Sequence, residues 1–243
     1  MTEPSRSDSI GASIKRLFIA FLISNFMAPV GIWLGIEYIK LAGRFGAIGL
    51  EKNNAPLTRA AKYFKALVVF CFASAAMYVV NMAVVYPVLY GPLMYFAEHH
   101  SPALLGTVVA ALGLVFTLVI VSMVITAVIS RLARLAWENI FENFKGEPDS
   151  MERTSGSFQI ARIIKGATQA FQASIMLAIA MGLLIPFFLF AGTLVLTMAL
   201  GIPAALLAII GAISALVGMI NQAVGLFDLG KNMSTDGRIE RRL

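Results

Sequence analysis

Metal chemistry has one candidate in this chain, Glu98-His99-His100, two imidazoles beside a carboxylate. Adjacent residues point in different directions, so the trio lacks the i, i+4 spacing that sets two histidines on one helical face. It reads as a polar surface turn. Nucleophilic chemistry needs a Ser, Thr or Cys next to a base. The only cysteine, Cys71, lies in an apolar run, has no partner for an intrachain disulfide, and reads as a small packing residue. No glycine loop suited to phosphate is present, and no pair of carboxylates lies within an apolar run. The expectation is a protein that is not an enzyme, with no catalytic residue, no metal ligand and no cofactor.

Neutral polar residues inside the apolar runs are the next candidates, because polar groups at membrane depth are costly and mark transport paths or interhelical bonds. They are Asn25, Ser74, Asn81, Ser122, Thr126, Asn221 and Gln222. Ser74 and Asn81, seven residues apart, share one helical face and with Asn221 make a candidate polar path; the alternative is that each bonds a neighbouring helix. Glu37 sits at the end of the first run and Asp228 just beyond the fifth, both within reach of a headgroup layer, and the near absence of ionisable residues deeper in the runs disfavours a proton- or ion-coupled pump.

The elements that carry these residues follow from composition. The chain has 243 residues, 59% of them hydrophobic and only 13% charged, which excludes both an ordinary soluble domain and a disordered chain. We expect an all-α polytopic bundle in a bilayer. Four to five spanning helices would form two hairpins and an N-terminal helix, with short amphipathic helices on the cytoplasmic side.

The apolar runs are Leu17–Ile36, Ala66–Ala97, Ala103–Ser130, Ser174–Leu200 and Ala204–Phe227. Residues 1–16 read as a polar tail, 17–38 as the first membrane helix, 39–65 as a basic loop with an amphipathic helix and 66–130 as one hairpin. Residues 131–173 read as a second polar loop with an amphipathic helix, 174–227 as the other hairpin and 228–243 as a tail. Pro87, Gly91 and Pro92 predict a kink or unwinding late in the second run.

The net charge is +6, and the Lys and Arg residues concentrate in 1–16, 39–65, 131–173 and 228–243, with none in 98–102 or 201–203. This distribution is a topology signal and not a sign of a nucleic-acid partner. It predicts a multi-pass protein of a bacterial inner membrane with a cytoplasmic C-terminus. Both flanks of Leu17–Ile36 are basic, so that run either crosses, with an exported N-terminus, or bends at Pro29 and returns; its low polarity favours crossing. In Pro56–Lys65 and Phe158–Gln172, apolar and polar residues separate to opposite faces, which predicts amphipathic helices at the headgroups or extensions of the spans.

Two stripes of small residues remain. Gly106, Ala110 and Gly113 recur along the third run, and Ala208, Gly211, Ser214, Gly218 and Gly225 along the fifth. Such stripes let helix backbones meet in lipid, either with partner subunits or a second copy, or within one chain. In the polar segment after the third run, Trp137, Glu138, Phe141 and Glu142 make a candidate docking face for a soluble cytoplasmic partner. The expected function is therefore a non-enzymatic structural or scaffolding subunit of a membrane assembly, associating through the bilayer with other membrane proteins or with itself. The alternative is a channel or carrier for an uncharged or amphiphilic solute.

Overall fold

Chain direction is set early, at a tight turn. After Glu51 the backbone N–H of Lys52 reaches the carbonyl of Ile48 (2.9 Å), and that of Asn54 reaches the carbonyl of Gly49 (2.7 Å). Asn53 adopts the left-handed conformation (φ 49°) that Asn tolerates better than most residues. Asn54 then caps the next helix, its Oδ1 accepting from the Leu57 N–H at 3.1 Å, while its Nδ2 donates to Asn143 Oδ1 at 2.6 Å. One residue thus starts a helix and ties it to the end of another 89 positions away.

In this computed structural model, residues 10–25, 30–99, 102–144, 156–189 and 197–235 are described. Among them are six α-helices and no strand: α1 (Ile10–Ser24), α2 (Gly31–Glu51), α3 (Ala55–His99), α4 (Pro102–Phe141), α5 (Gly156–Leu189) and α6 (Ile202–Thr235). Four segments are long and apolar enough to cross a membrane: Ala55–Val84, Val108–Phe144, Gly156–Pro186 and Met198–Met233. This is an all-helical protein of multi-pass membrane type.

Each helix packs on two neighbours, α1 on α6 and α2, α2 on α3, α3 on α4, α4 on α5 and α5 on α6, which closes a ring. Neighbours are antiparallel. Gly31 lies against Cys71 and Ala75, and Gly49 lies against Thr58, so α2 descends as α3 rises. Gly230 lies against Lys15, and the Phe18 and Phe227 rings stand 5.5 Å apart, so α1 rises as α6 descends.

The core sits at the basic end of this ring. Phe64 stacks on Tyr38 and Phe45 with centroids 5.5 and 5.9 Å away and meets Trp137 edge-on at 5.6 Å. Leu57, Ile140, Ile160, Ile163, Leu226, Leu229, Ile14 and Leu17 complete the buried cluster.

Three expectations change. The run Leu17–Ile36 is not one crossing helix. It is divided between α1 and α2, which run antiparallel, and neither is among the four candidate spans. Of the two readings of 56–65 and 158–172 the second holds: they are extensions of the spans, the opening turns of α3 and α5, and their apolar faces fill the core. Pro87 and Pro92 do not end α3, which stays helical to His99. The break expected at Gly201-Ile202-Pro203 is not there: Thr197–Gly201 is a π-type turn continuous with α6, so these residues open the last helix, and 190–196 lie outside the described residues.

Candidate polar cavity

All six helices contribute to one cavity of about 310 Å³ on the axis of the ring. Each supplies small or neutral polar groups: Ser24 and Asn25 from α1, Gly31 and Tyr38 from α2, Cys71 and Ser74 from α3, Thr126 and Ser130 from α4, Ser174 from α5 and Gln222 from α6. No Asp, Glu, Lys or Arg lines it. Tyr38 belongs both to the wall and to the aromatic cluster of Phe64, Phe45 and Trp137, and so joins the cavity to the core.

The local bonding decides what this wall offers. Ser174 donates its hydroxyl to the carbonyl of Ala170 and Thr126 to that of Ser122, both at 2.9 Å, and Asn25 Nδ2 donates to Phe21 at 2.7 Å. With their one donor spent on their own helices, the two hydroxyls present oxygen lone pairs, while the Asn25 amide keeps its carbonyl oxygen and a second N–H. Ser130 and Gln222 are both buried, and neither side chain has a hydrogen-bonding partner among the described residues. Burial holds the Tyr38 hydroxyl well above the ordinary phenol pKa, so it acts only as a neutral group. Together the wall holds donors and acceptors without fixed charge, which matches a small uncharged polar molecule or a few waters.

Helix contacts set the cavity's width. A Cβ on Gly166 would come within 2.6 Å of the Gly218 carbonyl oxygen, and one on Gly218 within 2.9 Å of the Ala170 nitrogen, so only glycine allows α5 and α6 to approach as they do. Gly225 and Gly211 continue that seam against Ile163 and Leu177, with Ser214 and Ala208 half-buried farther along α6. The α6 stripe, read as meeting either a partner or its own chain, is thus used within the chain at Gly211, Gly218 and Gly225. On α4 the outcome differs: Gly106 and Gly113 have nothing within 4 Å of a Cβ, and Ala110 is exposed.

Of the candidate path residues, Ser74 lines the cavity but its expected companions do not join it. Asn81 Nδ2 donates to Ser122 Oγ at 2.9 Å across α3 and α4, and Asn221 Nδ2 donates to Gln169 Oε1 at 2.8 Å across α5 and α6. Gln222, one residue from Asn221, faces the cavity instead.

The candidate docking face is corrected. Trp137 is 1% exposed and Phe141 packs on the core, so neither is a surface anchor. Glu138 Oε1 accepts from Arg134 Nε at 2.7 Å, and Glu142 alone of the four is exposed. Apolar spacing continues unbroken past Arg131, and this was the signal that α4 runs on into a core. Glu98-His99-His100 and residues 145–155 lie outside the described side chains. Among the described residues no group of His, Cys, Asp or Glu is arranged to hold a metal.

Sequence reading passed over two features. Gly31, Gly35, Ala42, Gly46 and Gly49 form a small-residue seam on α2, and four of its members pack on α3 through Cys71, Ala75, Ala61 and Thr58. Its spacing is as legible as that of the other stripes, but it straddles a polar segment. Glu37 is buried, 1% exposed; its Oε1 accepts from Lys40 Nζ at 2.7 Å and Trp33 Nε1 at 3.3 Å, while Oε2 has no partner among the described residues.

Fold and cavity together define a polytopic helical membrane protein built as a ring around a neutral polar chamber. No protein family, curated protein or solved structure matches the chain.

Proposed function

We propose that this protein is a non-enzymatic membrane channel or carrier that accepts a small uncharged polar solute in its central cavity. The observation that carries the reading is the convergence of all six helices on buried Ser130 and Gln222 in a wall without charge. A small polar solute would find both donors and acceptors there.

In this reading the four long helices cross the bilayer, and α1–α2 is a re-entrant hairpin entering from the basic side. By the positive-inside rule that side is the cytoplasm, here of a bacterial inner membrane, and it holds both termini. Lys65 marks the interface on α3. Ala75, beside Gly31 at the hairpin's turn, lies ten residues deeper, about 15 Å or half of a hydrocarbon core about 30 Å thick.

The test is stopped-flow re-swelling of proteoliposomes under inward gradients of glycerol, urea and erythritol. Re-swelling faster than in empty liposomes, and its loss in Ser130→Phe, supports the reading. No acceleration with any of the three counts against it.

A scaffolding role stays as the second reading because one observation favours it: on the α4 stripe, Gly106 and Ala110 are exposed, and a Cβ on Gly106 or Gly113 would meet nothing within 4 Å among the described residues. It predicts a detergent-solubilised oligomer, formed with a second copy or another membrane subunit, that Gly113→Leu disrupts.

A further inference from the structure

Between α4 and α5, on the outside of the ring, runs a groove of about 440 Å³. Its floor is made of small side chains, Ala127, Ser174 and Ala178, and its rims of Met123, Val124, Phe171, Ile175 and Ile179. Val124 is 51% and Ile179 50% exposed, so the rims face the surroundings while Ala127 is buried beneath them. Each wall extends over nine residues, 123–131 and 171–179, about 12 Å of helix.

The groove is apolar except at one end, where Arg131 is exposed and makes no ion pair among the described residues. Arg134, one turn on, is held by Glu138. A concave apolar channel that ends in a free guanidinium at the level where the apolar run stops has the polarity of a single molecule, a hydrocarbon chain with an anionic head.

We propose that this groove is a binding site for an anionic phospholipid, with one acyl chain lying between α4 and α5 and the phosphate on Arg131. The two parts answer different chemistry. Fixed small residues under raised rims give a chain more contact than the convex remainder of the surface does. The planar guanidinium supplies paired donors to phosphate oxygens. A neutral lipid would satisfy the groove but not the arginine, and a free phosphate the arginine but not the groove. This inference does not depend on the solute reading.

The experiment is native mass spectrometry of the full-length protein in nonionic detergent, titrated with phosphatidylglycerol or phosphatidylcholine. Phosphatidylglycerol should bind at lower concentration, and Arg131→Gln should weaken it about fivefold, the effect of one basic residue at an anionic surface, while leaving phosphatidylcholine unchanged. Ala178→Leu, which fills the floor, should lower first-site occupancy for both lipids. Arg59→Gln, an exposed cation away from the groove, should change nothing. Equal binding of the two lipids, undiminished phosphatidylglycerol binding in Arg131→Gln, or an equal loss in Arg59→Gln would overturn the proposal. Arg131 is at the surface, so its variant should fold like the parent; a photoactivatable phosphatidylglycerol that labels α4 and α5 in the parent supplies an independent check, and labelling elsewhere contradicts the site.

Discussion

The two ends of this helix ring are held together by different physics. At the basic end, Trp137, Phe64, Phe45, Leu57 and Ile160 are almost wholly buried in a core like that of a soluble domain. Along the apolar spans only 11–22% of the most apolar windows is buried, and Val79, Leu206 and Ile213 are more than half exposed. Large residues go inside where the surroundings are water, because burying them removes apolar area from it. In hydrocarbon that force is absent, and helices meet through glycine, alanine and single hydrogen bonds. Hydrophobicity therefore marks the inside at one end and the outside at the other.

The comparison can be broken by substitution, beginning where the effect is largest. Trp137→Ala removes a core aromatic and should cost about 3–5 kcal/mol, read as a large fall in Tm in detergent. A loss below about 1 kcal/mol would mean that the basic end is not packed like a soluble core. Gly218→Leu forces α5 from α6 and should cost about 1–3 kcal/mol or more, whereas Gly113→Leu should leave monomer stability unchanged; equal effects would contradict the division between a used and an open stripe. Asn54→Ala removes the α3 cap and the tie to Asn143, and a drop of about 1 kcal/mol in unfolding free energy is expected. The smallest effect belongs to Asn81→Leu, which deletes the bond to Ser122 inside the span. About 0.6 kcal/mol is expected there, and a loss several times larger would show that polar contacts, not small-residue packing, hold the apolar end.

The same contrast explains how much of the molecule was legible beforehand. The helical class and the hairpin pairing follow from run length, a local property. The path of Leu17–Ile36 did not follow, because its composition suits a crossing. What divides it is the α2 glycine seam on α3 and the fit of α1 on α6, which are relations between distant segments. Trp137 and Phe141 were misplaced for a related reason: beside Glu138 and Glu142 they resemble a surface, and only the opening turns of α3 and α5 supply the core that buries them.

For the cavity, Ser74 and Gln222 were visible as polar residues in apolar runs. Their convergence with Ser130, Tyr38 and Ser24 depends on the hairpin and could not be counted along one helix. Asn81 and Asn221 bear the same signal yet pair with Ser122 and Gln169, so side-chain type alone does not separate a wall from a clasp.

The central claim is that α1 and α2 return to the side they leave, closing the ring around the chamber. Single cysteines at Lys15, Lys52 and Lys231, in a Cys71→Ala background, test it by labelling with a membrane-impermeant maleimide from each face of oriented vesicles. All three should react from the same face. Reaction of Lys15→Cys from the face opposite to Lys52→Cys and Lys231→Cys would make Leu17–Ile36 a crossing and contradict the account.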